Sequence, residues 1–505
     1  MFRKLKFLPL FWMLITSIIS FAAVSALEAS ASDKTTAETS KQEKSITDGQ
    51  KRAIDSYVKA EMARQHIPGA TVGIFRDGKM VYGQGYGYAN LEWQVKMRPD
   101  TLMQSGSVGK QFTATAIMIL VEQGKVGLED SIRKYFPEGP ESWQGIKVKN
   151  LLSHTSGLAE YEDEDRSKPG ALFDLRVDFS EEQLVKNAAT MPIDFAPGDK
   201  FFYRNTNYML LGVLIHRVSG QFYGDYMQDH IFHPLGMDST RIISDRDIVK
   251  NRAAGYEIER NKIKNQEFVS ATFNSTGDGT LYFNLPDLEK WDRAQYGNKI
   301  LSPAMKEKMW APFVLNDGKP NAGNYGFAFF IDQVNEHRVI EHTGAWQGFT
   351  TMISRYVDDG LTVVVLTNLD SGHANPQNIE RVVAGITEPQ LMPAQSKVIN
   401  DEKPNIVVTV RNLFIDTADG HDASNYFAPE YGYVFDAGDA PELNFKMPPN
   451  WRKLNMELIK RIEIGSILES RYRIGTDNNR RIVGVRTTAD GKVAAFWIYT
   501  DPDNR

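Results

Sequence analysis

Residues 107–124 have the sequence SVGKQFTATAIMILVEQG, and this stretch decides how the chain around it folds. The part from Gln111 to Glu122 is nearly all apolar, and Gly124 follows at a place where helices commonly end. A helix that is apolar on every side lies buried inside a domain. We therefore predict a buried helix with Ser107 and Lys110 at its start, one turn apart on one face.

Strand patterns occur on both sides of this helix along the chain. Ala70 to Phe75 and Met80 to Tyr82 flank Asp77-Gly78, which is typical of a two-residue hairpin turn. Three more strand patterns lie between Val339 and Thr367, and the last of them, Leu361 to Leu366, is apolar throughout. The pattern predicts an α+β fold in which early and late strands join in one antiparallel sheet, flanked by helices, beside a mainly helical lobe.

Helix ends are marked at three further places. Thr47 and Gln50 have capping-box spacing ahead of a helical pattern, and Asn284 can cap a helix that begins at Leu285. Asn207 to Val218 has the pattern of another helix, which ends before Gly220. All three are predicted to be helices.

The first residues have the order of a secretory signal peptide, with basic residues followed by an apolar run from Phe7 to Val24 and then small residues. We predict a leader over residues 1–26 and a flexible linker over 27–45, which is rich in Ser, Thr, Lys and Glu. An uncleaved anchor is the alternative, because the run approaches the length that spans a bilayer. With cleavage we expect export to the periplasm or the extracellular space and no stable membrane insertion.

The composition changes near Pro393, which suggests a boundary between a unit of residues 46–392 and a β-rich C-terminal domain of residues 393–505. Four runs in the second unit are predicted to be strands: Val407–Val410, Arg471–Ile474, Val483–Thr487 and Ala494–Tyr499. Asp477-Asn478-Asn479 and Asp490-Gly491 are predicted to be turns between them.

Composition excludes several classes of function. The chain has 505 residues, is 42% hydrophobic and carries a net charge of −6 without a basic block, so a nucleic-acid partner is not expected. It contains no cysteine, which excludes disulfides, zinc–thiolate sites and a cysteine nucleophile. His230 and His233 resemble a metal-binding pair but suggest no acidic third ligand, so we expect neither a metal nor a cofactor. The oligomeric state is left open.

Ser107-Val108-Gly109-Lys110 has a chemical interpretation. A serine alcohol needs a neighbouring base to become a nucleophile, and a desolvated lysine can be that base if its pKa falls. The spacing alone is weak, because Ser131-Ile132-Arg133-Lys134 has it too. Tyr203-Arg204-Asn205 likewise has counterparts elsewhere in the chain, whereas His342-Thr343-Gly344 occurs once.

The three motifs identify a family through their order along the chain, more than through any one of them alone. The chain resembles the serine β-lactamase and penicillin-binding protein family, in its class C and DD-peptidase-like branch, where S-x-x-K, Y-x-N and K/H-T-G follow one another. The stretch from Phe195 to Gly212 resembles the family's F-x-P-G…Y-S-N…L-L-G segment. The resemblance covers roughly residues 46–370 and does not reach the C-terminal region.

The resemblance implies a catalytic set. Ser107 would be the nucleophile that forms an acyl-enzyme, and Lys110 and Tyr203 would move its proton, the choice of base between them being open. His342 would replace the lysine of the third motif and orient the Tyr203 hydroxyl or a substrate carboxylate. The alternatives from the residues alone are a helix-capping Ser107, an aromatic cluster around Tyr203 and a surface His342.

The resemblance also implies a binding set. Asn205, Thr343 and Gly344 would contact substrate, with Asn205 bonding a substrate amide. The backbone N–H groups of Ser107 and Ala345 would form an oxyanion hole, each donor contributing roughly 3 kcal/mol of transition-state stabilisation.

Two other features receive structural interpretations. His154 is predicted to be a structural histidine in a Ser/Thr-rich turn. The acidic run from Glu160 to Asp165 is predicted to be a solvated loop, and a role in selecting cationic substrates is its alternative.

Together these observations predict an exported serine hydrolase that works through an acyl-enzyme, most like a DD-peptidase or a D-amino-acid peptidase. A short-chain carboxylesterase and a class C-like β-lactamase are alternatives, and a non-turnover penicillin-binding sensor or scaffold is the alternative from another class. The partner would be a small molecule or a peptide, with the peptidoglycan stem peptide as one candidate. An α/β-hydrolase is disfavoured, because Ser105 stands at the first glycine position of G-x-S-x-G.

Overall fold

The structure is a computed structural model that describes residues 45–260, 262–392, 397–428, 447, 450–464, 467–475 and 480–500. The predicted leader, the predicted linker up to residue 44 and the predicted turn Asp477-Asn478-Asn479 lie outside the described residues. Among the described residues, no helix is long and apolar enough to cross a membrane.

Helices and strands alternate irregularly along the chain. The helices are α1 Asp48–Gln65, α2 Lys110–Glu122, α3 Val148–Leu152, α4 Glu164–Ser167, α5 Glu181–Thr190, α6 Asn205–Ser219, α7 Tyr223–Met227, α8 His233–Leu235, α9 Leu285–Tyr296, α10 Pro303–Met309, α11 Pro376–Thr387 and α12 Pro404–Ala418. The strands are β1 Gly69–Arg76, β2 Lys79–Asn90, β3 Val95–Lys96, β4 Met103–Gln104, β5 Arg241–Ile242, β6 Tyr256–Glu259, β7 Lys262–Asn265, β8 Leu281–Phe283, β9 Phe330–Val334, β10 His337–Trp346, β11 Phe349–Tyr356, β12 Leu361–Thr367, β13 Met456–Ile464, β14 Ile467–Ile474, β15 Arg481–Thr487 and β16 Val493–Thr500.

The main sheet joins early and late strands, which confirms the predicted α+β fold. Its order is β3-β2-β1-β12-β11-β10-β9, and β1 pairs antiparallel with β12. Asp77 and Gly78 connect β1 to β2 with φ of 46° and 77°, as a type I′ turn requires. β12 is buried along its whole length because apolar cores cover both faces of the sheet.

The predicted helices are present, and their sequence signals act as expected. Thr47 and Gln50 form a capping box at the start of α1, and Asn284 caps α9. α6 ends at Gly220, whose φ of 75° is left-handed. α2 is buried from Lys110 to Leu120, which confirms the interior helix predicted from its apolar sequence.

The C-terminal region contains a four-stranded sheet of order β13-β14-β15-β16, and three of the four predicted strands lie within β14, β15 and β16. The prediction of a strand over Val407–Val410 is wrong, because this run lies inside α12. Pro404 occupies the first turn of α12, and its buried residues Ile406, Val410, Leu413, Phe414 and Thr417 follow helical spacing. The boundary at residue 393 stays a prediction.

Candidate active site

Ser107 lies in a 3₁₀ turn, Gly106–Gly109, that runs directly into α2. It therefore precedes the helix instead of lying in its first α-helical turn. β10 packs tightly against this turn. A Cβ on Gly106, whose φ is 49°, would collide with the backbone nitrogen of Ala345, and a Cβ on Gly344 would collide with the carbonyl oxygen of Ser105. Glycine at both positions thus lets the strand reach the serine.

Lys110 begins α2 and points its amine at Ser107. Its Nζ donates to Ser107 Oγ at 2.9 Å, to Asn205 Oδ1 at 2.7 Å and to the carbonyl oxygen of Asp278 at 2.5 Å. Three acceptors around one amine match the three hydrogens of an ammonium group, so the contacts fit the protonated form of Lys110. The structure therefore brings Ser107, Lys110 and Asn205 together from two distant segments of the chain.

The electrostatics of Lys110 reflect two opposing effects. Burial is the larger and lowers the pKa of Lys110 to about 8, whereas the carboxylates of Asp278, Glu162 and Glu160 oppose this shift. An amine with such a pKa has a substantial neutral fraction near pH 8 and can accept a proton there.

Tyr203 stands on the loop before α6, beside the same amine. Lys110 Nζ lies 5.0 Å from the centroid of the Tyr203 ring, and the ring of His154 packs 4.2 Å from it. Among the described residues the buried Tyr203 hydroxyl has no hydrogen-bond partner within normal geometry. Burial raises the pKa of Tyr203 well above its usual range, with the nearby Ser107 hydroxyl opposing the shift, so the phenol keeps its proton.

His342 lies inside β10, and its side chain is buried. Its Nε2 is 3.0 Å from the Tyr325 hydroxyl and its Nδ1 is 2.5 Å from the Thr343 carbonyl oxygen. Burial lowers the pKa of His342 to about 3, so the ring is neutral. The resemblance left two roles open for His342, orienting the Tyr203 hydroxyl or orienting a substrate carboxylate. Among the described residues its ring nitrogens contact Tyr325 and Thr343 and not Tyr203, and the neutral ring offers no positive charge to a carboxylate.

The acidic run was predicted to be a solvated loop, and at its start that prediction is wrong. Glu160 is only 9% exposed, and its carboxylate accepts from the backbone N–H of Asn205 at 2.6 Å and of Glu162 at 3.2 Å. Glu162 Oε2 accepts from Asn205 Nδ2 at 2.8 Å. Burial raises the pKa of Glu160 to about 7 and that of Glu162 to about 8.

The cleft over Ser107 collects residues from five parts of the chain. It is lined by Gly106, Ser107, Glu162, Asn205, Asp278, Gly279, Thr280, Ala345 and Trp346. The strand alternation of β10 exposes Thr343 and Ala345 while it buries His342 and Gly344. An alcohol, a buried amine and a buried phenol beside a cleft with backbone donors are the components of an acyl-transfer site.

The family follows from comparison with known proteins. The model of the beta-lactamase family matches residues 54–387. The chain belongs to the beta-lactamase family. This match confirms the resemblance drawn from the three motifs and their order. The matched residues include the whole main sheet and the helical lobe.

Relatives of this beta-lactamase-family chain include penicillin-binding proteins and an amidohydrolase. Penicillin-binding protein 4* of Bacillus subtilis is 28% identical over 371 residues, which cover 70% of this chain and 80% of that protein. The octameric penicillin-binding protein homologue from Pyrococcus abyssi covers 90% of this chain and 96% of its own, with 23% identity and a TM-score of 0.59. A D-stereospecific amidohydrolase from Streptomyces sp. covers 63% of this chain and 94% of its own, with 26% identity and a TM-score of 0.54.

Four residues at the site were not among the predicted site residues, although selection of cationic substrates was the alternative for the acidic run that holds two of them. Glu160 and Glu162 lie in a run whose charge suggested solvent, and Asp278 and Tyr325 belong to no recognised motif. Asp278 stands between two glycines, Gly277 and Gly279, which was the only sequence sign of a close backbone approach. His154 is buried and accepts at Nδ1 from the Arg204 N–H at 3.2 Å, in agreement with its structural interpretation.

Proposed function

We propose that this chain is an exported serine hydrolase that forms an acyl-enzyme on Ser107 and acts on amide or ester bonds of D-amino-acid compounds. The observation that carries the proposal is the 2.9 Å contact between Lys110 Nζ and Ser107 Oγ, made by an amine that is completely buried. Ser107 itself is partly exposed among buried neighbours and lines the cleft, so the alcohol is open to substrate.

The proposed proton path uses Lys110 as the base. Neutral Lys110 takes the Ser107 proton while Oγ bonds to the substrate carbonyl carbon, and the oxyanion is held by the N–H groups of Ser107 and Ala345. The proton then passes to the leaving nitrogen or oxygen as its bond to the carbonyl carbon breaks. Tyr203, whose hydroxyl keeps its proton, relays between these groups, and water later hydrolyses the ester on Ser107.

The names of relatives support the substrate class. A penicillin-binding protein and a D-stereospecific amidohydrolase both resemble this chain, and a site built for acyl transfer accepts either an amide or an ester. The carboxylesterase and β-lactamase hypotheses share the same nucleophile, so they differ from this proposal in substrate alone. Export rests on the sequence pattern of residues 1–26.

The test compares four substrates with wild-type protein and two serine variants. The substrates are nitrocefin, p-nitrophenyl acetate, D-alanine p-nitroanilide and a peptide that ends in D-Ala-D-Ala. Ser107→Ala should lower every turnover rate at least about a thousandfold, because it removes the reacting atom. Ser131→Ala is the matched control, since Ser131 has the same S-x-x-K spacing but caps a 3₁₀ turn away from the cleft.

The amidohydrolase hypothesis requires the anilide or the peptide to be the best substrate. Faster turnover of nitrocefin or of the acetate would favour the β-lactamase or the esterase. Stable labelling of Ser107 by a fluorescent penicillin, without turnover of any of the four compounds, would overturn the proposal in favour of a binding protein.

A further inference from the structure

The charge of the cleft is acidic. Among the nine residues that line it, Glu162 and Asp278 are the two with ionisable side chains, and both are acids. The cation beneath them, Lys110, already donates to Ser107, Asn205 and the Asp278 carbonyl. The side chains that line this cleft therefore offer a substrate carboxyl groups and no cation.

Glu162 is the acid with capacity left for a ligand. Asp278 is held by the hydroxyls of Tyr161 and Thr276, each at 2.6 Å from one of its carboxylate oxygens. Both oxygens of Glu160 accept backbone N–H groups. Glu162 accepts from Asn205 Nδ2 and has the Tyr161 hydroxyl nearby, whereas a carboxylate offers about four acceptor positions, so positions are left for a ligand.

The position of Glu162 indicates which part of a substrate it would meet. Its bond to Asn205 Nδ2 and the bond from Lys110 Nζ to Asn205 Oδ1 place Asn205 between Glu162 and the amine that contacts Ser107. Asn205 is the residue expected to bond a substrate amide. A group bound by Glu162 thus lies on the Asn205 side of the nucleophile, close to the carbonyl that Ser107 attacks.

A substrate carboxylate has no comparable partner here. His342 is neutral and bonded through both ring nitrogens, and it does not line the cleft. A carboxylate placed near Glu162 would find no positive charge among the lining residues and would oppose the ionisation of Glu162, whose pKa burial already raises to about 8. The cleft therefore discriminates against an anionic group and in favour of a cationic one.

We propose that Glu162 binds the free ammonium group of the substrate, next to the scissile carbonyl, so that the preferred substrates are D-aminoacyl amides and peptides with a free amino terminus. This inference rests on the proposed acyl-enzyme function and adds its substrate class. An ammonium ion also favours the ionised form of Glu162, so that binding of the cation and loss of the Glu162 proton support each other.

The test compares two anilides that differ in one group. D-alanine p-nitroanilide carries an ammonium where the p-nitroanilide of D-lactic acid carries a hydroxyl of similar size. At pH 8, where a carboxyl group with a pKa of about 8 is half ionised, the wild-type protein should show at least a tenfold higher kcat/KM for the alanine compound. Glu162→Gln keeps an oxygen to accept from Asn205 but loses the charge, and it should lower this preference at least tenfold, mainly through KM.

Two further variants serve as controls. Asp163→Asn removes the neighbouring acid, which is exposed and paired with Arg166, and it should keep the preference within twofold of wild type. Glu162→Asp keeps the charge on a shorter side chain, so its kcat/KM should still be higher for the alanine compound than for the lactic acid compound. This variant also keeps the inference testable if Glu162→Gln fails to fold.

Several results would overturn the inference. The wild-type protein could show no preference for the ammonium compound, or it could turn over neither anilide. Glu162→Gln could lose kcat/KM equally for both anilides, or Asp163→Asn could lose the preference as Glu162→Gln is expected to. The proposed function is tested separately by p-nitrophenyl acetate and Ser107→Ala. If acetate turnover persists and depends on Ser107 while the ammonium preference is absent, the hydrolase stands and the role of Glu162 does not.

Discussion

Lys110 shows at the scale of one residue how burial prepares a side chain for proton transfer. An exposed lysine would stay charged at neutral pH, whereas desolvation brings the pKa of Lys110 down to about 8. The surrounding carboxylates keep the pKa from falling further, so the amine exchanges a proton within the working range of an enzyme. Glu160 and Glu162 titrate in the same range, and the three groups act as a coupled set.

This coupling predicts the pH dependence of acylation. The base is the neutral amine, so kcat/KM for the uncharged p-nitrophenyl acetate should rise with pH through about 8 and level off above it. Rates measured from pH 6 to 9.5 check the position of this limb. Lys110→Arg keeps a positive charge but provides no base in this range, and it should lose the limb and at least about a hundredfold in rate. A rate that does not change with pH would contradict Lys110 as the base.

Tyr203 allows stability and activity to be separated. Its buried hydroxyl makes no hydrogen bond of normal geometry among the described residues and has only the Ser107 hydroxyl nearby, so Tyr203→Phe should leave stability unchanged or raise it by about 1 kcal/mol. Turnover should nevertheless fall about a hundredfold, because the proton relay is lost. Thermal unfolding and acetate hydrolysis measured on the same samples check both expectations.

Tyr208→Phe is the matched control for that experiment. The Tyr208 hydroxyl donates to the carbonyl oxygen of Leu152 at 2.8 Å, so its loss should lower stability by about 1 kcal/mol with little effect on rate. If Tyr203→Phe were instead destabilised like this control, with turnover retained, Tyr203 would be a structural residue.

At the scale of elements, the contact between β10 and the 3₁₀ turn holds the site together. Gly344 faces the carbonyl oxygen of Ser105 and lies beside the backbone nitrogen of Ser107, where a side chain has no room. Ser105 also bonds the Gly279 carbonyl through its hydroxyl at 2.8 Å, and Thr351 on β11 donates to the Ser105 carbonyl at 2.7 Å. Three segments thus fix the backbone on which Ser107 stands.

Gly344→Ala should therefore disrupt the site more than its size suggests. The added methyl group must displace the strand from the turn, which we expect to cost on the order of 3 kcal/mol of folding free energy and nearly all turnover. Gly124→Ala is the comparison, because Gly124 has a left-handed φ of 69° but no atom near its would-be Cβ, so it should lose only about 1 kcal/mol and little activity. Denaturant unfolding and acetate hydrolysis distinguish the two. Equal effects would show that backbone strain, and not the close approach of β10, decides the outcome.

The elements also show what the sequence can and cannot predict. The hairpin at Asp77-Gly78 and the apolar helix α2 follow from local rules, and the structure has both. Val407–Val410 was misassigned because a short apolar run fits either a strand or one side of a helix, and only the later spacing of α12 decides between them. Glu162 was assigned to solvent because its burial comes from Asn205 and Asp278, which lie far away along the chain.

At the scale of the whole molecule, the sheet separates two apolar cores, and buried charges lie in both. On the face covered by α11, Glu380 is fully buried and accepts from Tyr356 at 2.9 Å and from Arg381 at 2.7 Å. Burial raises the pKa of Glu380 to about 7. With Glu160 and Glu162 near Ser107, the folded chain thus holds acids that remain protonated well above the usual range.

These acids set the sign of the pH dependence of stability above pH 6.5. An acid with a raised folded pKa binds more protons in the folded state than in the unfolded state between the two pKa values, so stability falls as pH rises through that interval. For Glu160, Glu162 and Glu380 the interval runs from about 4.5 to between 7 and 8. Below 6.5 the buried His342, whose pKa is lowered to about 3, acts in the opposite direction, because the unfolded state binds its proton more readily.

Stability should therefore decline between pH 6.5 and 8 by an amount on the order of 2 kcal/mol, because the three acids outweigh Lys110, whose lowered pKa of about 8 acts in the opposite direction near pH 8. Urea unfolding at the two pH values measures this difference. Glu380→Gln keeps an acceptor for the Tyr356 hydroxyl but never ionises, so its free energy of unfolding should decline less between the two pH values. Its turnover should stay normal, because Glu380 lies on the sheet face covered by α11. A wild-type chain more stable at pH 8 than at pH 6.5 would contradict the raised pKa values. If Glu380→Gln loses as much unfolding free energy as wild type between pH 6.5 and 8, Glu380 does not cause the decline. The acids near Ser107 would then remain as its source.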